Sequence, residues 1–122
     1  MSPISGIGVD AVDVARFGEV LARRPGIAGR LFTDAEQATA GGDPQRLAAR
    51  FAAKEATMKA LGTGIGGFGW HDVELVRPPL GAPSLRLHAA AASMAERRGV
   101  SRWHVSITHT ASMAVAMVVA EE

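Results

Sequence analysis

A chain of 122 residues is long enough for one domain built on one core. Its 13 basic and 12 acidic side chains leave a formal net charge of +1, which excludes the broad basic field that nucleic-acid binding needs. Cysteine is absent, which excludes disulfides and thiolate metal sites, and no run reaches the roughly 20 apolar residues of a membrane span. With no signal-peptide pattern in Met1-Ser2-Pro3-Ile4, the expectation is one cytoplasmic α+β domain over residues 1–122, off the membrane.

The first predicted element is a buried strand from Ile4 to Val9, with Gly6 and Gly8 where another element passes close to the backbone. It is expected to end at Asp10, which either caps the following helix or presents a carboxylate at the end of a strand, where ligands often bind. Asp13 reads as a first-turn acid. A helix is predicted over Val12 to Arg23, with Val14, Phe17 and Leu21 as its core stripe and Arg16 and Arg23 sharing another face. Pro25-Gly26 ends it.

Thr33-Asp34-Ala35-Glu36 has the spacing of a capping box and opens a short helix that Gly41-Gly42 stops. Asp43-Pro44 is a helix cap followed by proline at the first turn. The helix that follows, from Pro44 to about Leu61, is the longest predicted, rich in alanine and closed by Gly62. It carries Glu55 and Lys59 four apart, a spacing that ordinarily makes a surface ion pair, and Arg50 and Lys54 four apart with like charge. Two such cations are mildly repulsive unless they diverge or bracket an anion. Phe51, Met58 and Leu61 read as core.

Five glycines crowd the stretch from Gly62 to Gly69, a loop whose backbone N–H groups are free to cradle phosphate oxygens. It follows a helix, unlike a Walker A loop or a dinucleotide fingerprint, and as a bare pattern it also suits an ordinary helix end. Strands are predicted over Val73 to Val76 and around Leu85 to Leu87, a helix over Ala89 to Arg98, and two last strands over His104 to Thr108 and Met113 to Ala120. His109 ends the first of these, beside hydroxyls, as a phosphate ligand, a proton carrier or a structural residue. Two carboxylates, basic groups and a glycine loop suit magnesium-assisted phosphoryl chemistry, since magnesium takes carboxylate, phosphate and water oxygens.

Three segments, in order and over nearly the whole chain, resemble the short class of phosphopantetheinyl transferases, the acyl carrier protein synthase family. They are Gly6-Ile7-Gly8-Val9-Asp10, then Arg50-Phe51-Ala52-Ala53-Lys54-Glu55-Ala56 with Lys59-Ala60-Leu61-Gly62-Thr63-Gly64-Ile65-Gly66, then Ser106-Ile107-Thr108-His109-Thr110. The resemblance implies a phosphopantetheinyl transferase fold, an antiparallel sheet packed against the long helix. It implies transfer of 4′-phosphopantetheine from coenzyme A to a serine of an apo acyl carrier protein, in fatty-acid or polyketide synthesis, releasing adenosine 3′,5′-bisphosphate. Asp10 and Glu55 would hold magnesium, and Lys59 would stabilise or protonate the leaving phosphate. Glu55 would accept the serine proton. Arg50, Lys59, Gly62, Thr63, Gly64 and His109 would bind coenzyme A, while Arg16, Arg23 and Phe51 would dock the carrier. The family also implies a homotrimer with active sites between protomers. The alternative expectation is a module that holds coenzyme A or phosphate without catalysis, against which the presence of Asp10, Glu55 and Lys59 together argues.

Overall fold

The structure is a computed structural model that describes residues 3–64 and 66–122; Met1, Ser2 and the Ile65 of the second motif lie outside the described residues. In chain order the elements are β1 (Ile4–Asp13), α1 (Val14–Arg23), α2 (Ile27–Leu31), α3 (Asp34–Ala40) and α4 (Pro44–Ala60). A single 3-10 turn (Trp70–Asp72) leads to β2 (Val73–Val76), β3 (Ser84–Leu87), α5 (Ala89–Arg97), β4 (Arg102–His109) and β5 (Met113–Glu121). Strands β1, β5 and β4 form an antiparallel sheet in that order, and β2 pairs with β3 in a second, two-stranded one. The expected antiparallel sheet against a long helix is therefore present, α4 being that helix.

How α4 lies on the sheet follows from two glycines. A Cβ on Gly6 would come within 1.9 Å of the Ala60 carbonyl oxygen, and one on Gly8 within 1.8 Å of that of Ala56. Only a bare backbone lets the helix lie this close. Across the contact α4 presents Ala52, Ala53, Ala56 and Ala60, and β5 answers with Ala116, Val118 and Ala120, all buried. The layer is thin because both sides are small, and it holds β1 rigidly under the helix.

Two predicted boundaries are corrected. Strand β1 does not end at Asp10: Asp10 pairs with Ala116, and pairing with β5 continues to Asp13 opposite Met113. The cap of α1 is accordingly Asp13, whose Oδ1 accepts from the Arg16 N–H at 2.9 Å, so the helix starts at Val14 rather than Val12. Asp10 is neither strand end nor cap, and its side chain is free for another use. Helix α2 was not expected. The caps of α3 and α4 follow the sequence: Thr33 and Glu36 close a capping box, and Asp43 accepts from the Gln45 N–H ahead of Pro44. Among the described residues no helix is long and apolar enough to cross a membrane.

Candidate active site

Side chains alternate across a strand, so Asp10 points to the same side as Gly6 and Gly8, toward α4. Lys59, the last residue but one of α4, reaches over β1. Its Nζ donates to the Val9 carbonyl at 2.9 Å and to Asp10 Oδ1 at 3.2 Å. The predicted Glu55–Lys59 surface pair is thus replaced by a Lys59–Asp10 pair. Glu55 stands one helical turn before Lys59. Burial, first, and the Asp10 charge, second, raise its carboxyl above the ordinary range, against the pull of Lys59. Two carboxylates and an ammonium converge here, at the rim of a cleft of about 670 Å³.

The rest of the cleft is apolar. Phe17 of α1, Leu31 of α2, Phe51 of α4 and Trp70 line it, with Arg16 at its edge. Its aromatic rings form a row: Phe17 and Phe51 lie 5.1 Å apart, and so do Phe51 and Trp70. Phe51 is therefore only part-buried and forms the cleft wall, whereas Met58 and Leu61 are in the core as expected. Arg23 lies exposed farther along α1.

The glycine loop begins where α4 stops. Gly62 adopts a left-handed φ of 72°, and the Thr63 N–H turns back to the Met58 carbonyl at 3.0 Å, closing the helix. A Cβ on Gly64 would meet nothing within 4 Å, so this part of the loop is open to an incoming group.

Arg50 and His109 stand elsewhere. They line a second pocket, of about 480 Å³, with Arg46, Arg77, Thr39 and Pro78. At about 100° per residue, Arg46 and Arg50 leave α4 on the face opposite Phe51 and Glu55. The two pockets therefore flank α4, and one copy of the chain does not bring Arg50 and His109 to Asp10, Glu55 and Lys59. Arg50 is only 2% exposed, and its Nη1 donates to the Arg46 carbonyl at 3.0 Å. Burial chiefly lowers its affinity for the proton; Glu36 opposes this, and Arg77 and Arg46 add to it. A guanidinium nonetheless stays charged at neutral pH. Among the described residues Arg50 Nε is the one buried side-chain polar atom without a partner. Three guanidiniums around one pocket, one of them with an unpartnered Nε, give it the charge and donors that suit an anion. Arg50 and Lys54 diverge: one faces this pocket, the other turns into the core.

Comparison with known proteins bears on the fold and the family. The family model of the 4′-phosphopantetheinyl transferase superfamily covers residues 6–118. The chain belongs to this superfamily. This transferase is 53% identical to a holo-(acyl-carrier-protein) synthase of Frankia alni, over 97% of this chain and 98% of that one. Its fold matches the crystal structure of the holo-(acyl-carrier-protein) synthase of Neisseria meningitidis with a TM-score of 0.88 and 35% identity, covering 98% of this chain and 100% of the other. It also matches the Helicobacter pylori synthase in complex with coenzyme A, at a TM-score of 0.84 and 29% identity over 93% and 98% of the two chains.

Among the pocket residues that sequence reading did not single out are Arg46, Arg77 and Trp70. Arg46 carried a readable signal, lying one turn before Arg50 on the same face. Arg77 and Trp70 carried none, since their positions depend on how the segments after the glycine loop fold back onto α4.

Proposed function

We propose that this transferase moves the 4′-phosphopantetheine arm of coenzyme A onto the serine hydroxyl of an apo acyl carrier protein. The observation that carries the reading is the convergence of Asp10, Glu55 and Lys59 at the mouth of the aromatic cleft, beside the open glycine loop. The serine oxygen forms a bond to the β-phosphorus, and the bond from that phosphorus to the bridging oxygen breaks. Adenosine 3′,5′-bisphosphate leaves.

Each residue has a task in that exchange. Lys59 sets a positive charge against the pyrophosphate and meets the charge that grows on the leaving oxygen. Glu55, whose carboxyl is held above the ordinary range, suits the acceptance of the serine proton near neutral pH. Gly62, Thr63 and Gly64 offer backbone N–H groups to the nucleotide. The two facing carboxylates, hard oxygen donors whose mutual repulsion a dication relieves, fit magnesium, which usually keeps few protein ligands and takes the rest from phosphate and water. Asp10 and Glu55 would hold it, and it would supply charge neutralisation at the pyrophosphate. Arg16 at the cleft edge, Phe51 in its wall and Arg23 farther along α1 dock the carrier, and an acidic partner would be steered by charge.

Arg50 and His109 bind the remaining phosphate of coenzyme A, and the unpartnered Arg50 Nε supports this. Because α4 stands between the two pockets, one coenzyme A would reach both only if they come from different copies. A homotrimer with active sites between protomers meets that need. The face of the sheet turned away from α4 supports it: Ile7, Val9 and Met117 are 59%, 51% and 51% exposed, an apolar surface on strands paired side by side. The reaction belongs in the cytoplasm with its carrier.

The test is the intact mass of an apo acyl carrier protein incubated with this protein, coenzyme A and magnesium. A gain of one phosphopantetheine with the wild type, and none with Asp10→Ala plus Glu55→Ala or with metal chelated, is the expected result. Coenzyme A bound but no carrier modified, across fatty-acid and polyketide carriers, would leave only a binding module.

A further inference from the structure

One buried charge pair has no part in the chemistry above. Lys54 and Glu36 have fully buried side chains, 2.7 Å apart. The Lys54 Nζ donates to Glu36 Oε1, to the Trp70 carbonyl at 3.0 Å and to the Val73 carbonyl, so all three ammonium donors are used. Glu36 is as fully engaged: Oε1 accepts from the Thr33 N–H at 3.0 Å and Oε2 from the Leu75 N–H at 3.0 Å.

Such a pair is a poor source of stability, because desolvation offsets most of the attraction, and an apolar pair of like volume would often serve as well. What apolar side chains do not supply is directional attachment to backbone. Lys54 and Glu36 together grip the segment from Trp70 to Leu75 at three of its backbone groups. Outside this grip the segment's hydrogen bonds include the β2–β3 ladder, Thr33 Oγ1 to Glu74 Oε2, His71 Nε2 to the Gly29 carbonyl and the His88 N–H to the Asp72 carbonyl. None of these reaches α4, which the segment otherwise meets through packing of Trp70 on Phe51 and of Val73 and Leu75 in the core.

The grip matters because of what lies on either side of it. Glu55 is the next residue on the helix, and the Trp70 ring lines the cleft onto which Glu55 opens. The chain leaves α4 at Ala60, runs through the glycine loop and returns to the same helix at Lys54. A loop so rich in glycine has little shape of its own, so its anchors decide its course: the helix end, the buried Phe68 and the return at Lys54.

We propose that Lys54, with Glu36, is a positioning residue for the transfer, setting the distance of the Trp70 wall from Asp10 and Glu55 and closing the glycine loop onto α4. The proposal rests on the reading that transfer takes place in this cleft.

The test is the double variant Lys54→Met with Glu36→Gln, which removes both charges together and keeps a capping residue at position 36. Two quantities are measured beside the wild type: transfer kinetics per folded molecule, and amide hydrogen exchange resolved along the chain. The expected kcat falls by about tenfold to a hundredfold, the scale of a misplaced reacting geometry, with KM for coenzyme A within about threefold. Exchange over residues 66–72 quickens while β5 stays protected. An unchanged kcat overturns the proposal, and so does exchange that quickens equally in β5, which marks general loosening. A wild type that exchanges as expected but transfers nothing would instead overturn the cleft reading, and the catalytic role of the pair with it. Should the double variant not fold, wild-type exchange decides: Trp70 to Val73 as slow as β5 upholds the grip, and as fast as Gly62 to Gly64 overturns it.

Discussion

Glu55 is half-buried with a second carboxylate for a neighbour, and its raised proton affinity ties stability to pH. The folded protein holds a proton there more readily than the unfolded chain does. The resulting stability is fully present below the ordinary carboxylate range and is lost as pH rises through the raised value. At neutral pH the charged Glu55 therefore destabilises the metal-free protein, a cost often met at functional sites. Glu55→Gln is expected to raise the melting temperature of the metal-free protein at neutral pH by about 2–5 °C and to abolish transfer. It should also flatten the slope of stability just above the ordinary carboxylate range. Calorimetry of both proteins across pH checks this, and a lower melting point for the variant would refute the assignment. Lys59 behaves differently. Its side chain is 55% exposed, so Lys59→Ala should leave the melting temperature nearly unchanged. Its kcat should fall by about a hundredfold or more, as for loss of a charge aimed at the leaving oxygen. Steady-state transfer assays beside a thermal melt separate the two effects.

At the scale of elements, the contact between β1 and α4 admits no side chain at Gly8. Gly8→Ala forces the helix away from the strand, and overpacking of this severity costs about 3 kcal/mol or more. A lower urea midpoint with unchanged slope is the expected signature. The close approach was legible in the sequence, because two glycines inside an apolar strand signal a neighbour's backbone. So were the caps of α3 and α4, where Thr33, Asp43 and Pro44 act through local bonds alone. The end of β1 was not. A charge at Asp10 looks like a strand end, but strand length is set by the partner, and β5 continues alongside to Met113. Helix α2 escaped because five residues with an internal glycine show no periodicity. The link from Lys59 to Asp10 spans 49 residues of chain, and nothing local to either residue announces it. Resemblance to a family implied that Asp10, Glu55 and Lys59 serve one site, but neither it nor spacing paired Lys59 with Asp10. Arg77 stayed invisible for the same reason, being brought to Arg50 by the fold and not by any motif.

For the molecule as a whole, the uncovered sheet face and the split pockets make one argument about assembly. Met117→Glu puts a charge on the apolar face and should shift sedimentation from trimer to monomer, with loss of transfer and with the fold retained. A monomeric wild type that is fully active would remove the argument. Complementation tests it from the other side. Asp10→Ala and His109→Ala proteins, each inactive alone, should recover transfer when unfolded and refolded together, because some mixed assemblies pair an intact carboxylate site with an intact basic pocket.

Helix α4, standing as a partition between the two pockets, has one more consequence. A catalyst that is finished only by its neighbour has an output set by its own abundance. On the proposed assembly, newly made chains below the concentration at which copies associate would be inert and leave coenzyme A untouched. Above it, output rises more steeply than the number of chains. Specific activity should therefore fall on dilution, and modest changes in expression should act on carrier maturation as a threshold does.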